Sequence, residues 1–254
     1  MKNFNVHRLK GVIFPLPDSH QGDFFDEWGK IWSDIKPTSF QQMASHPFPQ
    51  SRGSAVMEGL LVTLTIQPGR VEVMVEAVPF EASASQESSD APPRILKIND
   101  ALDLLSDSMK KICQIHQPVR VSQILDSTKS VEKIDQLPEV MRICKNVSPP
   151  PGTSDLMIRF NVPRKFKSNR QLEMNRVCTI VAGKQLIMVS SAVLKGGIPE
   201  VSESSREKYF VGVKFDFNSA ADNIQPIEAS DEILEEILSE IKKIFTGGID
   251  ELAE

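Results

Sequence analysis

Apolar and polar positions recur along the chain with two different periods, and these periods assign most of its elements. Val6 to Phe14 reads as a strand, and 15–21 as a turn carrying Pro15 and Pro17. Over 22–35 the apolar residues Phe24, Phe25, Trp28, Ile31, Trp32 and Ile35 fall at helical spacing, with Asp23, Asp26, Glu27 and Lys30 on the other face. That stripe predicts a helix with both tryptophans turned inward as core. Residues 36–52 read as a connection. Leu60, Val62, Leu64 and Ile66, then Gln67-Pro68-Gly69-Arg70, then Val71, Val73, Val75 and Ala77 make a hairpin, because Pro followed by Gly suits a type II turn between two alternating runs.

Between Glu81 and Pro93 the sequence changes to Ser, Ala, Gln, acids and Pro-Pro, with nothing large to bury, and predicts a flexible surface loop. A helix from Asp100 to His116 follows, with Leu102, Leu105, Met109, Ile112 and Cys113 on one face, Asn99 or Asp100 as N-cap and Pro118 as stop. Val119 to Leu125 reads as a short strand, and 131–147 as a weakly periodic helical stretch kinked near Leu137-Pro138. Ser148-Pro-Pro-Pro-Gly152 is the best internal boundary.

Beyond it, 156–162, 176–181, 185–193 and 208–217 are strand-like, with Ala182-Gly183-Lys184 as a turn. The last element is the most regular. Ile233, Leu234, Ile237, Leu238, Ile241, Ile244 and Phe245 form an apolar stripe between Ser230 as N-cap and Gly247-Gly248 as stop. Acids lead and Lys242 and Lys243 follow, the order that the helix dipole favours. The order β-α-ββ-α-β and then ββββ-α predicts an α+β fold: antiparallel sheet covered by amphipathic helices, built as two intimately packed halves, 1–147 and 153–254, or as a single domain.

Composition narrows the class without naming an activity. With 254 residues, 40% hydrophobic and 25% charged, the chain has the balance of a globular protein. No apolar run approaches the roughly 20 residues that cross a bilayer. Near the start only Gly11-Val12-Ile13-Phe14 separates the early bases from Pro15, so no secretory leader is expected and the location expected is the cytoplasm. Cys113, Cys144 and Cys178 are odd in number and widely spaced, which suits buried free thiols better than disulfides or zinc.

Catalytic motifs are missing from the sequence. Neither GxGxxG nor GxxxxGK[ST] nor GxSxG occurs, and His7, His20, His46 and His116 share no metal-ligating spacing. The glycine pairs 196–197 and 247–248 read as turns. Cys113 and His116 stand three apart on one helix, and their plain reading is a buried thiol beside a helix-end histidine. Asp216, between Phe215 and Phe217, is the acid of most interest, with the expectation that it meets solvent or a basic neighbour. The sequence thus predicts no enzyme, no cofactor and no metal.

Charge is informative. Between 159 and 176 six bases, Arg159, Arg164, Lys165, Lys167, Arg170 and Arg176, face only Glu173, a local balance of +5. Between 228 and 254 nine acids face two lysines, a balance of -7, within a chain of net charge -5. These segments predict a polarised molecule whose six bases dock an acidic protein partner. Nucleic acid is the second reading, since lysine and arginine contacts to phosphate dominate such affinity, but only Phe160 and Phe166 interleave with the bases. A third reading is a metal-dependent hydrolase with dispersed acids such as Asp216 and Glu173.

The stretches 117–125 (QPVRVSQIL), 209–217 (YFVGVKFDF), 233–246 (ILEEILSEIKKIFT) and 248–252 (GIDEL) resemble a sporadically distributed bacterial family of similar length, largely of unknown function and often found as accessory genes of mobile or antiviral-defence loci. That family has no catalytic motif to transfer. The resemblance implies an accessory or regulatory subunit, of a CRISPR-type defence system in one version, whose partner is another protein of the same operon and which does not engage membrane.

Overall fold

The computed structural model describes residues 4–17, 22–44, 49–78, 94–131, 155–195, 198–220 and 222–253. Ten strands form one antiparallel sheet: β1 (Asn5–Pro15), β2 (Ser39–Met43), β3 (Gln50–Met57), β4 (Leu60–Gln67), β5 (Arg70–Ala77), β6 (Pro118–Val131), β7 (Leu156–Asn161), β8 (Arg164–Lys165), β9 (Glu173–Lys195) and β10 (Ile198–Ser219). Their order is β2-β3-β4-β5-β1-β6-β10-β9-β7, with β8 also paired to β9. Among the described residues three helices accompany them, α1 (Phe24–Ile31), α2 (Ile98–Ile115) and α3 (Ser230–Gly247), and a short 3-10 turn over Ile249–Ala253 follows. This is an α+β architecture dominated by strand. The sheet continues across the middle of the sequence because β6 pairs with β1 on one side and β10 on the other.

Alternation decides which face the helices cover. Leu9, Val75, Leu125, Phe215 and Cys178 sit in one cross-strand row and are all buried. In the neighbouring row Gly11 lies under α2, where a Cβ would run into Met109 Sδ and Cγ. The expected stripes of α2 and α3 supply the cover: Leu102, Leu105, Met109 and Ile112 from one, Ile233, Leu234, Ile237, Ile241 and Ile244 from the other. At roughly 1.5–3 kcal/mol for each such side chain buried, this layer is the main source of stability. Arg8, Lys10, Glu72, Arg120, Asp216 and Asn175 occupy the alternate positions, on the face that carries no helix.

The hairpin β4–β5 closes as its sequence predicts, with Gln67 opposite Arg70 and Gly69 at φ 72°. Both tryptophans are buried, pack edge to face at 4.6 Å, and have their indole N–H groups satisfied by Ile35 O and Ser108 Oγ. Other expectations need correction. The supposed connection 36–52 contains β2 and the start of β3. All five residues of β2 are exposed at the sheet edge and β3 turns small residues such as Gly53 and Ala55 inward, so neither shows a strong apolar alternation.

The helix expected over 22–35 ends at Ile31, and Phe25 in its stripe is half exposed. Strand β6 reaches Val131 instead of stopping at Leu125, its pattern masked by the buried polar residues Ser122, Gln123 and Ser127. Ala182-Gly183-Lys184 is not a turn. Strand β9 runs through it, and the Phe210 ring lies 3.4 Å from where a Gly183 Cβ would stand, filling that gap from the facing strand. Neither long helix has its expected cap. Asn99 and Asp100 lie inside the first turn of α2, and Ser230 is the first helical residue of α3, its hydroxyl engaged with Cys113. Gly248, at φ 97°, ends α3 as expected. The expected loop at 81–93, the helical stretch beyond Val131, the boundary at 148–152 and the 196–197 turn lie outside the described residues.

The tight seat of α2 on β1 predicts that Gly11→Ala costs about 1–3 kcal/mol, as overpacking of a closed core does. Shortening the opposing side chain in Gly11→Ala plus Met109→Ala should recover stability relative to Met109→Ala plus the independent cost of Gly11→Ala. Urea unfolding midpoints of the four proteins check this, and strict additivity would contradict the contact.

Candidate functional site

The six bases divide into two groups. Arg176 points from β9 into the layer between sheet and helices and is 4% exposed. Its guanidinium donates to Val162 O (2.9 Å), Leu252 O (3.0 Å) and Glu240 Oε2 (3.2 Å), and Glu240 itself is 5% exposed. Arg164 on β8 reaches Glu236 Oε1 at 2.8 Å and Glu240 Oε1 at 3.1 Å. Glu236 also accepts backbone N–H bonds from Lys167 (3.0 and 2.9 Å) and Ser168 (3.3 Å). Two acids one helical turn apart on α3 thus clasp the loop after β8. The segments of opposite charge lie against each other, not at opposite poles as the sequence suggested.

Arg159, Lys165, Lys167 and Arg170 remain, all exposed. Among the described residues β7 is the last strand of the sheet, and Arg159, which projects from it, forms no ion pair. The other three sit on β8 and the loop beyond it, which Glu236 holds in place through the Lys167 and Ser168 amides.

On the helix-free face, beside Arg159, lies a depression of about 480 Å³ lined in part by Arg120, Asn161, Asn175, Asp216 and Asn218. Its polar groups form a cross-strand ladder. Asn161 Oδ1 accepts from Arg176 N (3.0 Å), and Asn161 Nδ2 donates to Asn175 Oδ1 (2.8 Å). Asn175 Nδ2 (3.3 Å) and Arg120 Nη2 (3.1 Å) both donate to Asn218 Oδ1. Asn218 Nδ2 (2.9 Å) and Ser122 Oγ (2.8 Å) donate to Asp216 Oδ1. The Arg120 guanidinium also stands over the Phe14 ring at 5.1 Å, with Arg70 at 5.8 Å. Of the two environments expected of Asp216, solvent or a basic neighbour, the first holds in part: it is half-buried in the open depression, where its Oδ1 meets neutral donors. Sequence reading missed Arg120, Ser122 and the three asparagines; the only signal for them is polar residues at alternate positions of otherwise apolar strands.

The remaining candidates resolve as packing. His116 Nε2 donates to Glu27 Oε2 at 2.7 Å, both residues about 1% exposed, and Glu27 Oε1 accepts from Gly22 N. The histidine thus ties α2 to α1 and does not pair with Cys113. Burial pushes the Cys113 thiol up to about 12, against a smaller opposing effect of the Ser230 hydroxyl, so it stays protonated and unreactive at neutral pH. Burial also lowers the pKa of His7, which occupies the bulge of β1. Cys178 is buried, while Cys144, His20 and His46 lie outside the described residues. Glu173 and Asp216 do not converge: four residues of β9 separate Glu173 from Val177, the partner of Asp216, about 13 Å along the strand. Among the described residues no group of three or more His, Cys, Asp or Glu is placed to hold a metal ion. No described helix is long and apolar enough to cross a membrane.

Removing one partner of a buried ion pair leaves the other uncompensated, so Arg176→Ala and Glu240→Ala should each lose about 3–5 kcal/mol. The double substitution should lose much less than the sum, as measured by denaturant unfolding; independent effects would contradict the pairing. The sequence matches no model of a known protein family and no curated protein, so the functional reading rests on this chemistry.

Proposed function

We propose that the chain is a non-enzymatic binding subunit that takes an extended acidic segment of a protein partner at its β7–β8 edge. The observation that carries this reading is the set Arg159, Lys165, Lys167 and Arg170: four exposed cations beside β7, whose outer edge pairs with no further strand among the described residues. Strand addition supplies main-chain hydrogen bonds, and the cations select acidic side chains and speed encounter. Met157, 70% exposed on β7, offers an apolar contact at the same edge. Arg164 and Arg176 position this surface from within and are not contact residues. In the fuller form of the proposal the protein works in the cytoplasm as an accessory or regulatory subunit of a CRISPR-type defence locus, with a partner from the same operon; the family resemblance supports this part alone.

Nucleic acid is the second reading for the same cations. Stacking of bases would need exposed rings, yet Phe166 is fully buried and Phe160 packs against the core, which favours a protein segment. A hydrolase built on Asp216 and Glu173 gains no support from their separation.

The test uses two probes, a ten-residue glutamate-rich peptide and a single-stranded RNA of equal charge, at low and moderate salt. The peptide should bind with amide shifts centred on β7, and reversing Arg159, Lys165, Lys167 and Arg170 to Glu should weaken it at least about tenfold. Absence of peptide binding at low salt, or binding unaffected by the reversal, would overturn the proposal, and tighter RNA binding would put the second reading in its place.

A further inference from the structure

We infer that the depression on the helix-free face is a binding site for a small oxyanion, a phosphate or carboxylate group, and that Arg159 and Arg120 are its principal ligand-binding residues. The argument rests on the direction of the amide ladder. Every asparagine carbonyl in it is used internally: Asn161 Oδ1 by Arg176 N, Asn175 Oδ1 by Asn161 Nδ2, and Asn218 Oδ1 by both Asn175 Nδ2 and Arg120 Nη2. Each amide nitrogen of Asn161 and Asn175 carries two protons and donates only one of them to the ladder. The free hydrogen-bonding capacity of the depression is therefore mostly donor.

Charge points the same way. Arg159 has no ion-pair partner among the described residues. Arg120 Nε is buried and without a hydrogen-bond partner, an omission that costs free energy unless a ligand supplies an acceptor. Against these two arginines there is one acid in the depression, Asp216, whose Oδ1 already accepts from Ser122 and Asn218. A guanidinium pair with amide donors is the arrangement that recognises planar or tetrahedral oxyanions by forked hydrogen bonds. The volume, about 480 Å³, accommodates a mononucleotide or a small dicarboxylate. Asp216 then acts as a discriminator: its second oxygen repels a bare anion and rewards one that brings a hydroxyl or N–H.

This site is separate in kind from the protein-docking edge, although Arg159 borders both. Calorimetric titration of the full chain at low salt with inorganic phosphate, adenosine monophosphate and succinate tests it. A saturable one-to-one heat is expected from at least one probe. Binding of phosphate and the nucleotide but not succinate assigns a phosphoryl group, and the reverse pattern a carboxylate. Arg159→Ala, an exposed change that should leave the unfolding midpoint unaltered, should weaken binding at least about tenfold. Asp216→Asn should strengthen binding of inorganic phosphate, a sign that a merely structural residue would not give. No saturable heat from any probe below about 10 mM, a concentration at which even weak millimolar sites fill, would overturn the inference. Binding indifferent to both substitutions would do the same.

Discussion

Glu236 and Glu240, one turn apart on α3, carry the junction on which the far end of the molecule depends. They neutralise Arg164 and Arg176 and hold the backbone between β8 and β9 by direct N–H bonds to a carboxylate. Burying Arg176 and Glu240 is costly for each ion alone and tolerable only because each nitrogen of the guanidinium finds an acceptor: a carboxylate and two carbonyls. The consequence reaches the surface. With two bases drawn inward, the loop that bears Lys165, Lys167 and Arg170 is fixed relative to β7, and the charge available to a partner is a defined strip along one edge.

The sheet gives its two faces different duties. One row in two is apolar and accepts α2 and α3, closely enough at Gly11 that a larger residue would have to displace the Met109 side chain. The alternate rows carry the polar ladder, with ion pairs such as Arg8 to Glu76 at 3.0 Å and Lys10 to Glu72 at 3.5 Å farther across the sheet. Most charges on that face thus have an opposite neighbour. The depression near β7 departs from this rule, because its cations outnumber its acid and its carbonyls are turned inward. Uncompensated donors in an otherwise well-paired face are a reason to look for a ligand there.

The hairpin at 60–77, the stripe of α2 and the stripe of α3 were legible because burial imposes a period on the residues themselves. Elements whose burial is slight or mixed were not. Strand β2 has no buried side chain to betray it, and β6 hides its alternation behind Ser122, Gln123 and Ser127. Gly183 reads as a turn until Phe210 is seen to fill its place from the facing strand. For the site the limit is of another kind. Composition along 159–176 reveals six positive charges, yet which of them face outward depends on acids 64 to 76 residues away. Likewise the pairing of His116 with Glu27, 89 residues apart, leaves no local trace.

The clasp itself is open to a direct measurement, residue-resolved hydrogen exchange at the Lys167 and Ser168 amides. Although both residues are exposed, their N–H groups donate to Glu236 and should exchange well below the rate of a free loop. In Glu236→Ala that protection should vanish while the paired amides of β9 and β10 keep theirs. Free exchange at these two positions in the unaltered protein would contradict the arrangement and remove the ground for a fixed basic edge.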